Sequence, residues 1–220
     1  MHLLIQKQRH LLAVLSIPVQ GLIYFLISSL ISQNSVPINS SIDDRIPFMP
    51  GFVISYVSWM FVLYLAFIYM GLTNRSLYWR TMIAYNAAVT VSNIIFILFP
   101  TYMPRPEITG DDIFHKLVLF IYNNDQPVNC FPSIHCLTTY LLFITMIRHQ
   151  LFSFGPRVMI SVFLWSIIAS TVFIKQHALV DVIGGIALAE IAYRVVYYFM
   201  DNQQKTLIAN QNDTGVTMHD

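Results

Sequence analysis

Six apolar runs, near residues 11–32, 51–71, 82–101, 133–148, 157–174 and 177–200, leave this chain few folds to choose from. A helix needs about 20 mostly apolar residues to cross a hydrocarbon core of about 30 Å. In lipid every backbone N–H and C=O must be satisfied inside the protein. Repeated runs of this length therefore predict an all-α polytopic membrane protein, a bundle of six transmembrane helices. Composition agrees: 56% of the 220 residues are hydrophobic and 10% charged, against roughly a quarter charged in soluble domains. A formal net charge of +1, with no basic stripe, excludes nucleic acid as an expected partner. The first run follows Lys7 and Arg9, as a signal peptide would, but it is too long for an h-region and lacks a small-residue cleavage site. It reads as a permanent span. The whole chain reads as one integral membrane domain, with 203–220 as a polar cytoplasmic tail.

Lys and Arg in short loops stay on the cytoplasmic side. Lys7 and Arg9, Arg75 and Arg80, and Arg148 and Arg157 fall on one side, with no acidic residue among them. Arg45, Arg105, Lys116 and Lys175 fall on the other, diluted by Asp43, Asp44, Glu107, Asp111, Asp112 and Asp125. Both termini are expected to be cytoplasmic. The connection from Tyr102 to Pro132 is the longest and contains "DIFHKLVLFIYNN", whose apolar part is too short to cross. A helix lying in the outer interface or dipping into it is expected there. Cys130 and Cys136 match no metal or disulfide framework and read as unpaired thiols.

Three polar groupings fall at span ends that this topology sends to the outer face: Arg105 in "YMPRP", Ser133 and His135 in "FPSIH", and Lys175, His177 and Asp181 in "KQHALVD". His177 and Asp181, four positions apart, stack on one helix face, so the carboxylate orients the imidazole and leaves its other nitrogen free to attack. The positive end of the helix dipole favours the neutral, nucleophilic ring. Ser133 in a first turn suits an anion, Arg105 matches phosphate oxygens as a fork, and Lys175 adds a point charge. Together these form a phosphoryl-transfer set. Plainer roles exist for each: Ser133 as an N-cap, Arg105 as a headgroup anchor, Asp181 as a cap. A reading of another class makes His135, His177 and Asp181 metal ligands in a transporter or membrane metalloenzyme. Glu190 and Arg194 read as a structural ion pair, Asn86 and Asn93 as interhelical hydrogen-bonding groups, and Gly184 and Gly185 as close-packing positions.

With these residues in view, the sequence resembles the type-2 phosphatidic acid phosphatase superfamily of membrane lipid phosphatases and phosphotransferases. "RP" at Arg105 and Pro106, "PSIH" from Pro132 to His135, and Ser170, His177 and Asp181 match its three-part signature in order and spacing. Leu98 stands where the family has lysine, Ile134 where it has glycine, and Thr171 where it has arginine. "FPSIH" with Thr171 looks more like the inositol phosphorylceramide synthase-like branch. The resemblance implies hydrolysis of a lipid phosphate or diphosphate through a phosphohistidine, with no metal and no cofactor. His177 would be the nucleophile, Asp181 its orienting carboxylate and His135 the acid and then base. Arg105, Ser133, Lys175 and Ser170 would hold phosphate oxygens. Transfer to an alcohol acceptor is the nearest alternative, and a catalytically silent lipid-binding relative a further one. The small size and bare architecture suggest a bacterial plasma membrane.

Overall fold

The computed structural model describes residues 8–31 and 35–214. Residue 32 of the first expected span, Lys7, and residues 215–220 of the expected tail lie outside them. A 3₁₀ segment, Arg9–Leu15, leads into α1 (Ser16–Ile31), followed by β1 (Val36–Pro37), α2 (Ser41–Arg45), α3 (Val53–Thr73), α4 (Arg75–Leu98) and β2 (Thr101–Tyr102). Then come α5 (Ile113–Asn124), α6 (Ile134–Arg148), α7 (Phe154–Phe173) and α8 (Leu179–Thr214). The described chain is all-α apart from the short parallel pair β1–β2, which registers Val36 with Thr101.

Four segments, Arg9–Leu30, Pro50–Thr73, Arg75–Leu98 and Phe154–Phe173, are long and apolar enough to cross a membrane. The protein is an integral membrane protein. Helix α6 has 15 residues, about 22 Å at 1.5 Å per residue, shorter than a hydrocarbon core. Helix α8 has 36 residues, about 54 Å, and runs through much of the stretch read as a tail. No Gly or Pro interrupts 186–214 to end it. Helix α4 starts at Arg75, seven residues ahead of the apolar run, because Asn74 caps it by accepting from the N–H of Leu77 at 3.0 Å.

Helix α6 packs on α7 and α8, and α8 packs on α4. Leu63 and Phe67 of α3, Tyr78 and Tyr85 of α4, Leu137 and Leu141 of α6, and Ala189 and Tyr193 of α8 share one core. Large apolar side chains face outward instead, Phe25, Phe61, Leu65, Leu98 and Ile183 each more than 60% exposed. That inside-out surface suits lipid as solvent. Helix α1 is tied to α4 by polar groups: Asn86 donates to Ser16 Oγ at 3.0 Å and Asn93 to Gln20 Oε1 at 3.0 Å. At Gly185 a Cβ would sit 2.6 Å from the Ser133 carbonyl oxygen, so the missing side chain lets α8 touch the start of α6.

Two ends of the bundle carry different chemistry. At one, Glu190 bridges Arg148 at 2.5 Å and Arg194 at 2.6 Å, and Arg80 pairs with Asp201. At the other meet the end of α4, the starts of α6 and α8, the end of α7 and the loops carrying α2 and α5. There Phe131 N–H donates to Thr101 Oγ1 at 3.0 Å and Met49 N–H to the Phe173 carbonyl at 2.9 Å.

Candidate active site

The start of α6 and the start of α8 are joined by backbone, Ser133 N–H donating to the Asp181 carbonyl at 3.1 Å. His135 sits in the first turn of α6 and His177 just before α8, so this contact brings the two imidazoles close together. Their ring centroids are 5.6 Å apart, inclined at 57°. His177 Nδ1 lies 3.3 Å from Asp181 Oδ2, and the same oxygen accepts the Ala178 N–H at 2.8 Å. Asp181 is fully buried, and its Oδ1 has no hydrogen-bond partner among the described residues. His135 stacks on Tyr56, centroids 4.6 Å apart, and lies 4.0 Å from Trp59. Trp59 is held in turn through its indole N–H on Thr138 Oγ1 at 2.8 Å.

His177 gets its position from the way α7 ends. Lys175 adopts a left-handed conformation, φ 55°, and the N–H groups of Gln176 and His177 both return to the Thr171 carbonyl, at 2.9 and 3.0 Å. This is the turned-back ending by which helices satisfy their last carbonyls. It carries Gln176 and His177 on one rigid turn.

Both imidazoles line a cavity of about 320 Å³. Its walls are mostly apolar, with Ile17 and Phe25 from α1, Met60 and Leu63 from α3, and Val89 from α4; Asp125, Asn129, Cys130 and Gln176 add polar groups. Asp125 accepts from Tyr56 Oη at 3.0 Å and Tyr24 Oη at 3.3 Å. Among the described residues, no Lys or Arg lines this cavity.

Arg105 donates to the carbonyls of Tyr122 at 3.1 Å and Asp125 at 2.7 Å, lies 4.4 Å from the Tyr122 ring centre, and donates to Gln176 Oε1. It thereby caps the end of α5. Lys175 donates to the carbonyls of Asp43 and Ile46, each at 2.6 Å, tying α2 to the site. Ser133 is buried, and its Oγ caps α6 by accepting the Cys136 N–H at 3.3 Å. Ser170 is buried in α7 and donates to the Ile167 carbonyl at 2.6 Å. Leu98 faces outward, 65% exposed, whereas Ile134 lines the cavity.

Among the described residues, one grouping could hold a metal ion: Cys130, His177 and Asp181, with a ligand atom from each within 4.8 Å of the others. Cys130 takes the place that the metal reading gave to His135. Cys130 is an unpaired buried thiol, as is Cys136. Burial, and then the Asp181 charge, push the Cys130 thiol well above its usual range, with Arg105 opposing. The thiol therefore stays protonated near neutrality and does not compete with His177 as a nucleophile. Burial likewise lifts Tyr122 to about 12, against the pull of Arg105. Its hydroxyl remains a donor, to the Ile174 carbonyl at 2.8 Å.

The family model described as the PAP2 superfamily matches residues 78–205, a stretch that holds Arg105, Ser133, His135, Ser170, Lys175, His177 and Asp181. The chain belongs to the PAP2 superfamily. Members of the PAP2 superfamily are phosphatases or phosphotransferases, and this protein is an enzyme of that kind, which speaks against the transporter reading. No curated protein and no solved structure matches the chain. Around this cavity, sequence reasoning passed over Tyr56, Trp59, Asp125, Asn129 and Gln176. Only Gln176 carried a signal, as a polar residue directly before His177 in a span-end motif.

Proposed function

We propose that the protein hydrolyses a lipid phosphate or diphosphate monoester through a phosphohistidine, on the face of the membrane opposite its termini. The meeting of His135 and His177 across one cavity, with Asp181 behind His177, carries this reading. The free nitrogen of His177 attacks phosphorus and the bond to the leaving oxygen breaks; His135 gives that oxygen its proton. His135 then takes a proton from water as the water oxygen bonds to phosphorus and the P–N bond breaks. Asp181 holds the ring and offsets the charge that His177 gains. The first turn of α6, behind Ser133, offers backbone N–H groups to phosphate oxygens. Arg105 and Lys175 support the phosphate site, Arg105 through Gln176 and Lys175 through the α2 loop.

The lipid assignment rests on the apolar cavity walls, which suit the first part of an acyl or prenyl chain. The orientation rests on Arg80, Arg148 and Arg157, which lie at the bundle end away from the cavity. A second reading, transfer to an alcohol, draws support from Asp125 and from Asn129, whose buried Oδ1 has no partner and suits an acceptor hydroxyl. It fits the inositol phosphorylceramide synthase-like features of the motifs. Product analysis of detergent-purified enzyme with a lipid phosphate and a candidate alcohol separates the two: free phosphate supports hydrolysis, a phosphodiester supports transfer. Turnover by His177→Asn at the parental rate would refute both.

A further inference from the structure

Arg105 holds the Gln176 carboxamide by its oxygen. A guanidinium has donors only, so its contact with Oε1 decides which end of the amide turns away from it. That end is Nε2, which is buried with no hydrogen-bond partner among the described residues. Gln176 is 3% exposed and lines the cavity together with His135 and His177. Its backbone is fixed by the same turn that fixes His177, both N–H groups sharing the Thr171 carbonyl. A buried donor without a partner is costly, and here it stands next to the nucleophile in a cavity that no described Lys or Arg lines.

We propose that Gln176 Nε2 is a phosphate-binding donor, giving a hydrogen bond to a non-bridging oxygen of the substrate phosphoryl group. The position that carries arginine in the resembling motif is Thr171, whose hydroxyl is spent on the Ile168 carbonyl at 2.8 Å. Gln176 fills the gap with a neutral donor whose direction Arg105 dictates. A donor of fixed aim in a dry site requires no reorganisation as charge builds on the phosphoryl oxygens. Arg105 thus acts on the reaction through Gln176 as a positioning residue. This rests on the phosphohistidine reading.

Two variants test it. Gln176→Ala removes both ends of the amide. Gln176→Met fills much the same space and removes the donor without adding a charge. The proposal expects both to lower kcat on the order of 10²–10³-fold, with KM little changed and inhibition by orthovanadate weakened in parallel. Were Gln176 only a prop for Arg105, both variants would lose thermal stability and keep parental kcat and vanadate sensitivity. Parental values in either folded variant overturn the proposal, and if Gln176→Ala fails to fold, Gln176→Met decides alone. The rate of phosphohistidine formation in the parent enzyme tells the two failures apart. A parent that forms none contradicts the underlying mechanism. A parent and variants that form it equally fast contradict only the role of Gln176.

Discussion

His177 Nδ1 and Asp181 Oδ2 stand 3.3 Å apart, and that oxygen is already held by the Ala178 N–H at 2.8 Å. The carboxylate is fixed before the imidazole reaches it, so it selects the ring's tautomer as well as its angle. Asp181→Asn retains the shape and loses that selection. Expected is a fall in kcat on the order of 10³–10⁴-fold, as when other catalytic histidines lose an orienting carboxylate, with thermal stability near parental. Steady-state kinetics beside a melting curve check it; kcat within a few-fold of parent would show that Asp181 does not orient the ring.

Gly185 sets the distance between the two halves of the site. A Cβ there meets the Ser133 carbonyl oxygen at 2.6 Å and the Leu137 nitrogen at 3.1 Å, both backbone atoms that cannot rotate aside. Gly185→Ala is expected to cost about 1–3 kcal/mol of stability, the usual penalty of overpacking. It also draws His135 away from His177. The check is a denaturation curve in detergent together with turnover, both of which should fall.

Much of this arrangement is legible in the sequence, for a physical reason. Apolar runs and their charged borders obey the bilayer, so the all-α membrane fold follows from periodicity and length alone. His135, His177 and Asp181 sit at the ends of such runs, where topology brings them to one surface. What the chain did not disclose is set by three-dimensional turns. The left-handed Lys175 sends its ammonium to the Asp43 and Ile46 carbonyls and leaves Gln176 facing the cavity. Arg105 is drawn to the end of α5 by carbonyls that become available only once that helix has formed. Helix α8 runs on to Thr214 because a polar sequence without Gly or Pro keeps the helix going past the apolar run.

Asp43 gives the loops beside the candidate site a pH dependence. Burial pushes its carboxyl upward, but the Ser40 hydroxyl, the N–H groups of Leu179 and Ser40, and Lys175 together hold it below the ordinary range. A carboxylate lowered by folding adds stability that is fully present above its unfolded value of about 3.9, and that is lost as pH falls through the folded value. The Leu179 N–H to Asp43 bond, 2.7 Å, anchors the start of α8. Asp43→Asn is therefore expected to lower the melting temperature at neutral pH, and the gap to the parent should close below about pH 4. A gap that stays constant with pH would show that the charge on Asp43 is not what stabilises the loop.

The cavity wall at Gly21 offers a handle on the lipid chain. A Cβ there meets nothing within 4 Å, and Gly21 lines the cavity, so Gly21→Leu adds bulk without straining α1. Displacing two or three chain methylenes costs about 2 kcal/mol, roughly 30-fold in kcat/KM for a long-chain lipid phosphate. A short-chain soluble phosphate should be unaffected. Comparing the two substrates checks it, and equal losses for both would remove the chain from this cavity.

Cys130, His177 and Asp181 form the grouping through which a metal could act. The phosphohistidine account expects full activity after extended dialysis against chelator. Loss of activity on dialysis, restored by a divalent cation, would assign the trio to a metal instead.

The most direct test is to quench the enzyme during turnover of a substrate labelled on its phosphorus, and to map the label. The account predicts an acid-labile, base-stable phosphate on His177, absent from His177→Asn and long-lived in His135→Asn, where the group that activates water is missing. Label on another residue, or an adduct that survives in His177→Asn, would contradict it.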